Sequence, residues 1–135
     1  MTKKPLDIAL VKEFIIAAHS DLEEVKRLLE KEPALLHSVI NWGEGDWESA
    51  IGAGAHTGNH EMVEWLLEQK AHMDIFVAAM LGEIDIVKSI LHRQPHALYA
   101  KGPHGISLIR HAEVGGEQAK PVLEYLQSLL LKEEV

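Results

Sequence analysis

Nine histidines stand in this chain of 135 residues, and imidazole is the side chain that most readily ligates a metal or moves a proton near neutral pH. Two pairs have the i, i+4 spacing that puts both rings on one face of a helix: His56 with His60, and His92 with His96. Neither pair reads as a metal site. Gly58 interrupts the first pair at an expected turn between helices, so its rings should diverge, and Pro95 interrupts the second. The run His56 to Glu61 also has the order H-x-x-x-H-E rather than the H-E-x-x-H of zinc proteases. Histidines at turns and helix ends have an ordinary use there, donating to open carbonyls or facing the negative end of the helix dipole. No metal and no cofactor is expected.

Nucleophilic and phosphate chemistry find no better support. Ser49 and Ser107 stand where a hydroxyl caps the start of a helix, and Ser128 lies within a helix without an evident base. The chain has no cysteine, which excludes disulfides and thiol catalysis. Gly43-x-Gly45 and Gly115-Gly116 lack the lysine or the strand-to-helix setting of a phosphate loop. Adjacent carboxylates such as Glu23 and Glu24 face different ways on a helix. The expectation is a protein that is not an enzyme.

A stronger signal lies between Ser38 and Trp47, SVINWGEGDW. Trp42 and Trp47 share a glycine-containing span with Glu44 and Asp46, and Glu48 follows directly. Tryptophan supplies large rigid anchors at protein interfaces. Two readings stay open: the indoles project to a partner, or they fold back and fill space against a neighbouring unit. On the first reading, Trp42→Ala weakens partner binding without lowering the melting temperature. Trp65, placed between a valine and a leucine pair, reads as core.

The elements that must position these residues come from an internal repeat. Ala53 to Leu67, AGAHTGNHEMVEWLL, recurs as Val77 to Leu91, as Ile15 to Leu29, and more loosely as His111 to Leu126. Small apolar residues end one helix (Ala17, Ala55, Ala79), and a turn residue follows (Ser20, Gly58, Gly82). A valine and a leucine-type pair then share a face of the next helix: Val25 with Leu28-Leu29, Val63 with Leu66-Leu67, and Val87 with Ile90-Leu91. Each unit has an apolar side that only a stacked neighbour can bury. Pro33 and Pro95 each follow the leucine pair and stop their helix.

This pattern resembles the ankyrin repeat, most closely over Ser49 to Asp74. Ser49, Ile51, Ala55, Gly58, Glu61, Val63, Leu66, Leu67 and Ala71 occupy matching places, while Ala50, Gly52 and Lys70 replace the family's Pro, His and Gly. The resemblance implies an all-α ankyrin-repeat solenoid of about four helix-turn-helix units with little or no β-strand. The units fall at approximately 5–38, 39–73, 74–100 and 101–135 of a single domain. Asp7 to Ala18 would be the first helix and Pro121 to Lys132 the last.

The regular period of such units is about 33 residues. The steps between Val25, Val63, Val87 and Val122 are instead 38, 24 and 35. The long first step places a β-turn finger in residues 38–47. The short second step lacks about a finger's length, so Lys70 to Asp74 should run straight into the next helix, with Asp74 as its cap. The third step restores a finger at Tyr99 to Gly105.

The family's usual mode implies binding of another protein through the finger tips and the ends of the first helices. Carried over, these are Ala18, His19, His56, Thr57, Met80, Leu81 and Val114, with Trp42, Glu44, Asp46, Trp47, Glu48, Pro103, His104 and Ile106 in the fingers. The formal charge of -8 is concentrated: residues 39–75 hold seven acidic side chains against one basic. Such a field favours a basic partner surface and disfavours nucleic acid, and it also serves solubility. No apolar run is long enough to cross a membrane, and Asp7, Lys12 and Glu13 interrupt any secretory leader, so a cytoplasmic protein is expected. Two alternatives to a binding module remain. One is a structural or homodimeric protein using the Trp finger or Leu129-Leu130-Leu131; the other is a small-molecule or enzymatic role.

Overall fold

The computed structural model describes residues 3–133. Glu134 and Val135, the end of the expected fourth unit, lie outside the described residues. Eight α-helices fall there into four antiparallel pairs: α1 (Ile8–Ala17) with α2 (Leu22–Lys31), α3 (Ala50–His56) with α4 (His60–Glu68), α5 (Ile75–Leu81) with α6 (Ile84–Arg93), and α7 (Leu108–Val114) with α8 (Lys120–Glu133). The first helices pack in a row, α1 on α3, α3 on α5 and α5 on α7. The architecture is the helical solenoid expected from the repeat.

Local chemistry sets most helix starts. The side chains of Asp7, Asp21, Ser49, Asn59, Asp74 and Ser107 each accept a hydrogen bond from a backbone N–H of the first turn. Pro33 and Pro95 do not merely stop a helix; each opens a short 3-10 turn, Pro33–His37 and Pro95–Tyr99. Gly82 ends α5 at φ +79, and a Cβ there would collide with the backbone oxygen of Gln118. The glycine therefore serves both the left-handed helix end and the approach of the next unit.

Burial follows the valine and leucine positions. Val25, Leu28, Val63, Leu66, Val87, Leu91, Val122 and Leu126 are all in the core. One cluster joins α1 to α4 and takes in Val77, Met80 and Leu81 of α5; a second runs from Ile75 to Leu126. Trp65 is only half-buried at the edge of the first, where the Lys26 Nζ lies 5.7 Å from its ring centroid. The expectation that it sits in the core is corrected accordingly: the indole spans the gap between α2 and α4 and keeps one face at the surface.

The first finger is a small antiparallel hairpin, β1 (Val39–Asn41) with β2 (Trp47–Ser49). Asn41 Oδ1 accepts from the N–H groups of Gly43 and Gly45, which closes the turn. Ile40 pairs with Glu48 and Asn41 with Trp47, and side chains alternate between the two sides of a strand. Ile40 and Glu48 consequently face inward, while Asn41 and Trp47 face solvent. Between α4 and α5, residues 70–74 form a bare connection with no strand or helix. The finger before α7 is a 3-10 turn, Pro103–Gly105, flanked by a Lys101–Ser107 bridge.

Candidate functional site

The short connection between α4 and α5 leaves a gap in the row of fingers, and the 103–105 turn closes it. The His104 backbone N–H donates to Asp46 Oδ1 at 2.7 Å, and His104 Nδ1 lies 2.9 Å from Asp46 Oδ2. These bonds hold His104 in a left-handed conformation, φ +62, which a non-glycine residue adopts only with support from its surroundings. They also carry its Nε2 to 3.3 Å from Glu48 Oε1.

Glu48 is the centre of the arrangement. It is 1% exposed, yet its carboxylate meets four nitrogen atoms. His56 Nε2 is 2.7 Å from Oε2 and His19 Nε2 is 3.2 Å from it. Trp42 Nε1–H donates to Oε1 at 2.9 Å. Burial alone would raise the Glu48 carboxyl, but hydrogen bonds from His19, His56 and Trp42 outweigh it and hold the group well below the usual carboxylate range. The hydrogen bond to Glu48 in turn raises His19 above its ordinary value, against the opposing effect of burial. His19 and His56 come from the ends of α1 and α3, Glu48 from β2, and His104 from the last finger. Their ligand atoms all lie within 4.8 Å of one another.

Several expected contact residues are placed differently from the expectation. Glu48 does not project from the finger, because strand alternation turns it inward. Met80 and Leu81, at 0% and 3% exposure, are core residues and offer nothing to a partner. Gly115 packs against the Met80 carbonyl, and the Gln118 side-chain amide donates to the Leu81 carbonyl, so α7 and the turn after it cover the end of α5. Ala18 is fully buried as well. Trp42 is half-buried, packed on the core cluster and bonded to Glu48, with Lys12 Nζ 5.8 Å from its ring. It supports the finger from beneath, so a partner meets little of it. His56 is half-buried and turned to Glu48.

Other expected residues remain open to solvent: Glu44, Trp47 and Thr57 are exposed, Asp46 and His19 are half-buried, and His104 is exposed at its edge. Trp47 is 57% exposed and borders a groove of apolar character formed with Leu6, Ile8, Val11, Val39 and Ile40. Sequence reasoning did not find this groove, because Leu6, Ile8 and Val39 lie outside the repeat pattern. His56 and His60 do diverge: His60 Nε2 bonds the Gly115 carbonyl at 2.8 Å. Helix-pair spacing missed the true association of His56 with His19, His104 and Glu48. One signal was available, since His19 and His56 both stand at the ends of first helices, one position apart in the repeat alignment.

No helix among the described residues is long and apolar enough to cross a membrane. A family model described as ankyrin repeats in many copies matches residues 13–67, from within α1 to within α4. The curated proteins give no match to the chain. Helices α5 to α8 continue the same paired arrangement beyond the matched segment. Over residues 13–67 the chain matches the ankyrin-repeat family, and the paired helices on both sides of α4 form the helical solenoid that such repeats build.

Proposed function

We propose that this protein is a non-catalytic module that binds another protein along the outer flank of its first finger. Ankyrin repeats are in general protein-interaction modules and typically not enzymes. The observation that carries the reading is the exposed apolar set around Trp47. Ile8 is 75% exposed, Val39 49% and Trp47 57%, and all three border one groove. Apolar side chains gathered in this way are the usual core of an interface, and an exposed indole is its usual anchor.

The chemistry of the partner follows from the surroundings. Glu44 is exposed at the finger tip, and residues 39–75 carry seven acidic groups against one basic. A peptide segment presenting an apolar side chain flanked by lysine or arginine matches both features. Selection from a displayed random-peptide library tests this. Enriched peptides should combine an apolar residue with flanking basic ones and should lose binding to Trp47→Ala and Ile8→Asp. No enrichment, or enrichment indifferent to both substitutions, contradicts the reading.

A further inference from the structure

We propose that His19, His56, His104 and Glu48 bind one divalent transition-metal ion of the zinc class, which ties the ends of α1 and α3 to the two fingers. This goes beyond partner binding and does not depend on it. The donor set, three imidazoles and one carboxylate, suits zinc, whereas calcium and magnesium prefer all-oxygen surroundings.

Geometry supports the assignment in two ways. Tetrahedral zinc with bonds of about 2.1 Å places neighbouring donor atoms about 3.4 Å apart. Glu48 lies 2.7, 3.2 and 3.3 Å from the Nε2 atoms of His56, His19 and His104, so small outward movements admit the ion. The same coordination separates ring centres by about 5 Å. The observed separations are 5.1 Å for His19–His56, 5.3 Å for His56–His104 and 6.5 Å for His19–His104.

The far nitrogens of two rings fix where hydrogen sits. His19 Nδ1 lies 2.8 Å from the Ile15 carbonyl, and His104 Nδ1 lies 2.9 Å from the Asp46 carboxylate. Both partners are acceptors only, so each Nδ1 is the donor. Nε2 is then the nitrogen that faces the Glu48 carboxylate in both rings, and a cation bound there displaces the Nε2 protons. Carbonyl and carboxylate partners on the far nitrogen are also the usual outer support of metal-bound histidine. Trp42 Nε1–H, bonded to Glu48 Oε1, orients the carboxylate. Four protein donors complete a tetrahedral shell, the arrangement of a structural rather than a catalytic zinc.

The test uses the tag-free chain, stripped of metal with chelator and titrated with Zn²⁺ against a chromophoric competitor, and separately with Co²⁺. One equivalent should bind, Co²⁺ should give the intense visible bands of tetrahedral coordination, and Zn²⁺ should raise the melting temperature. His104→Ala, at an exposed turn, should weaken binding at least tenfold. Asp46→Asn, which touches the backbone N–H and the far ring nitrogen of His104 and none of the donor atoms, should weaken it about tenfold to a hundredfold. His72→Ala, distant from the cluster, should leave it unchanged. Circular dichroism establishes that each variant is folded. Absence of a one-equivalent event in the parent chain, octahedral-type Co²⁺ spectra, or a folded His104→Ala variant with parent affinity overturns the proposal.

Discussion

His104 Nε2 stands 3.3 Å from Glu48 Oε1, although the two residues belong to fingers that a full-length solenoid would keep apart. The connection between α4 and α5 is the cause. Residues 70–74 supply no finger, so the 103–105 turn lies directly beside the 42–46 turn and bonds to Asp46. A deletion in the repeat thereby encloses a carboxylate that strand alternation had already turned inward.

The two finger tryptophans should separate cleanly. Trp42 packs on the core and donates to Glu48, so Trp42→Ala should cost about 2 kcal/mol or more in urea unfolding. Trp47 is largely exposed, so Trp47→Ala should change stability by no more than about 0.5 kcal/mol while weakening peptide binding. Equal stability losses in the two variants would show that the finger is oriented differently.

Gly82 offers a test of how closely the units approach. Its φ of +79 disfavours any side chain, and a Cβ would meet the Gln118 carbonyl of the next unit. Gly82→Ala should destabilise the protein by more than about 1 kcal/mol in chemical denaturation. The exposed glycine at 116, also at positive φ but with open space around it, should tolerate alanine with the smaller cost of backbone strain alone.

His111 should make the fold sensitive to mild acid. Burial holds its imidazole below the ordinary value, against the hydrogen bond to the Ser107 carbonyl and the charge of Asp74, and with His56 adding to the depression. Its Nε2 has no partner among the described residues. The unfolded chain then takes up a proton that the folded chain does not. Stability is complete above the unfolded value of 6.5 and is lost as pH falls through it toward the lower folded value. His111→Leu should show a flatter decline between neutral pH and about pH 5 when unfolding is followed at each pH. Other titrating side chains are common to both proteins, so a parallel decline would remove His111 as the cause.

The fold was legible because its determinants are local and repeated. Alanine, glycine, valine and leucine recur at fixed offsets, Asp74 and Ser49 cap as their positions require, and unequal valine steps revealed the missing finger. The candidate cluster was not legible, because His19, Glu48, His56 and His104 are scattered and no short motif joins them. Proximity rules pointed to His56 with His60, whose rings part at Gly58. Met80 and Leu81 were misplaced for a related reason. A family's contact positions assume a finger beside each unit, and without one the neighbouring unit covers the end of α5.

The claim that the lost finger brings His104 onto Glu48 is tested most directly by a double-mutant cycle. Glu48→Gln, His104→Ala and the double variant would be unfolded in urea with chelator present, so that protein contacts alone are read. The account predicts a coupling energy of about 1 kcal/mol or more between the two sites. Effects that add to within about 0.5 kcal/mol would mean that the two fingers do not meet in solution, and would contradict it.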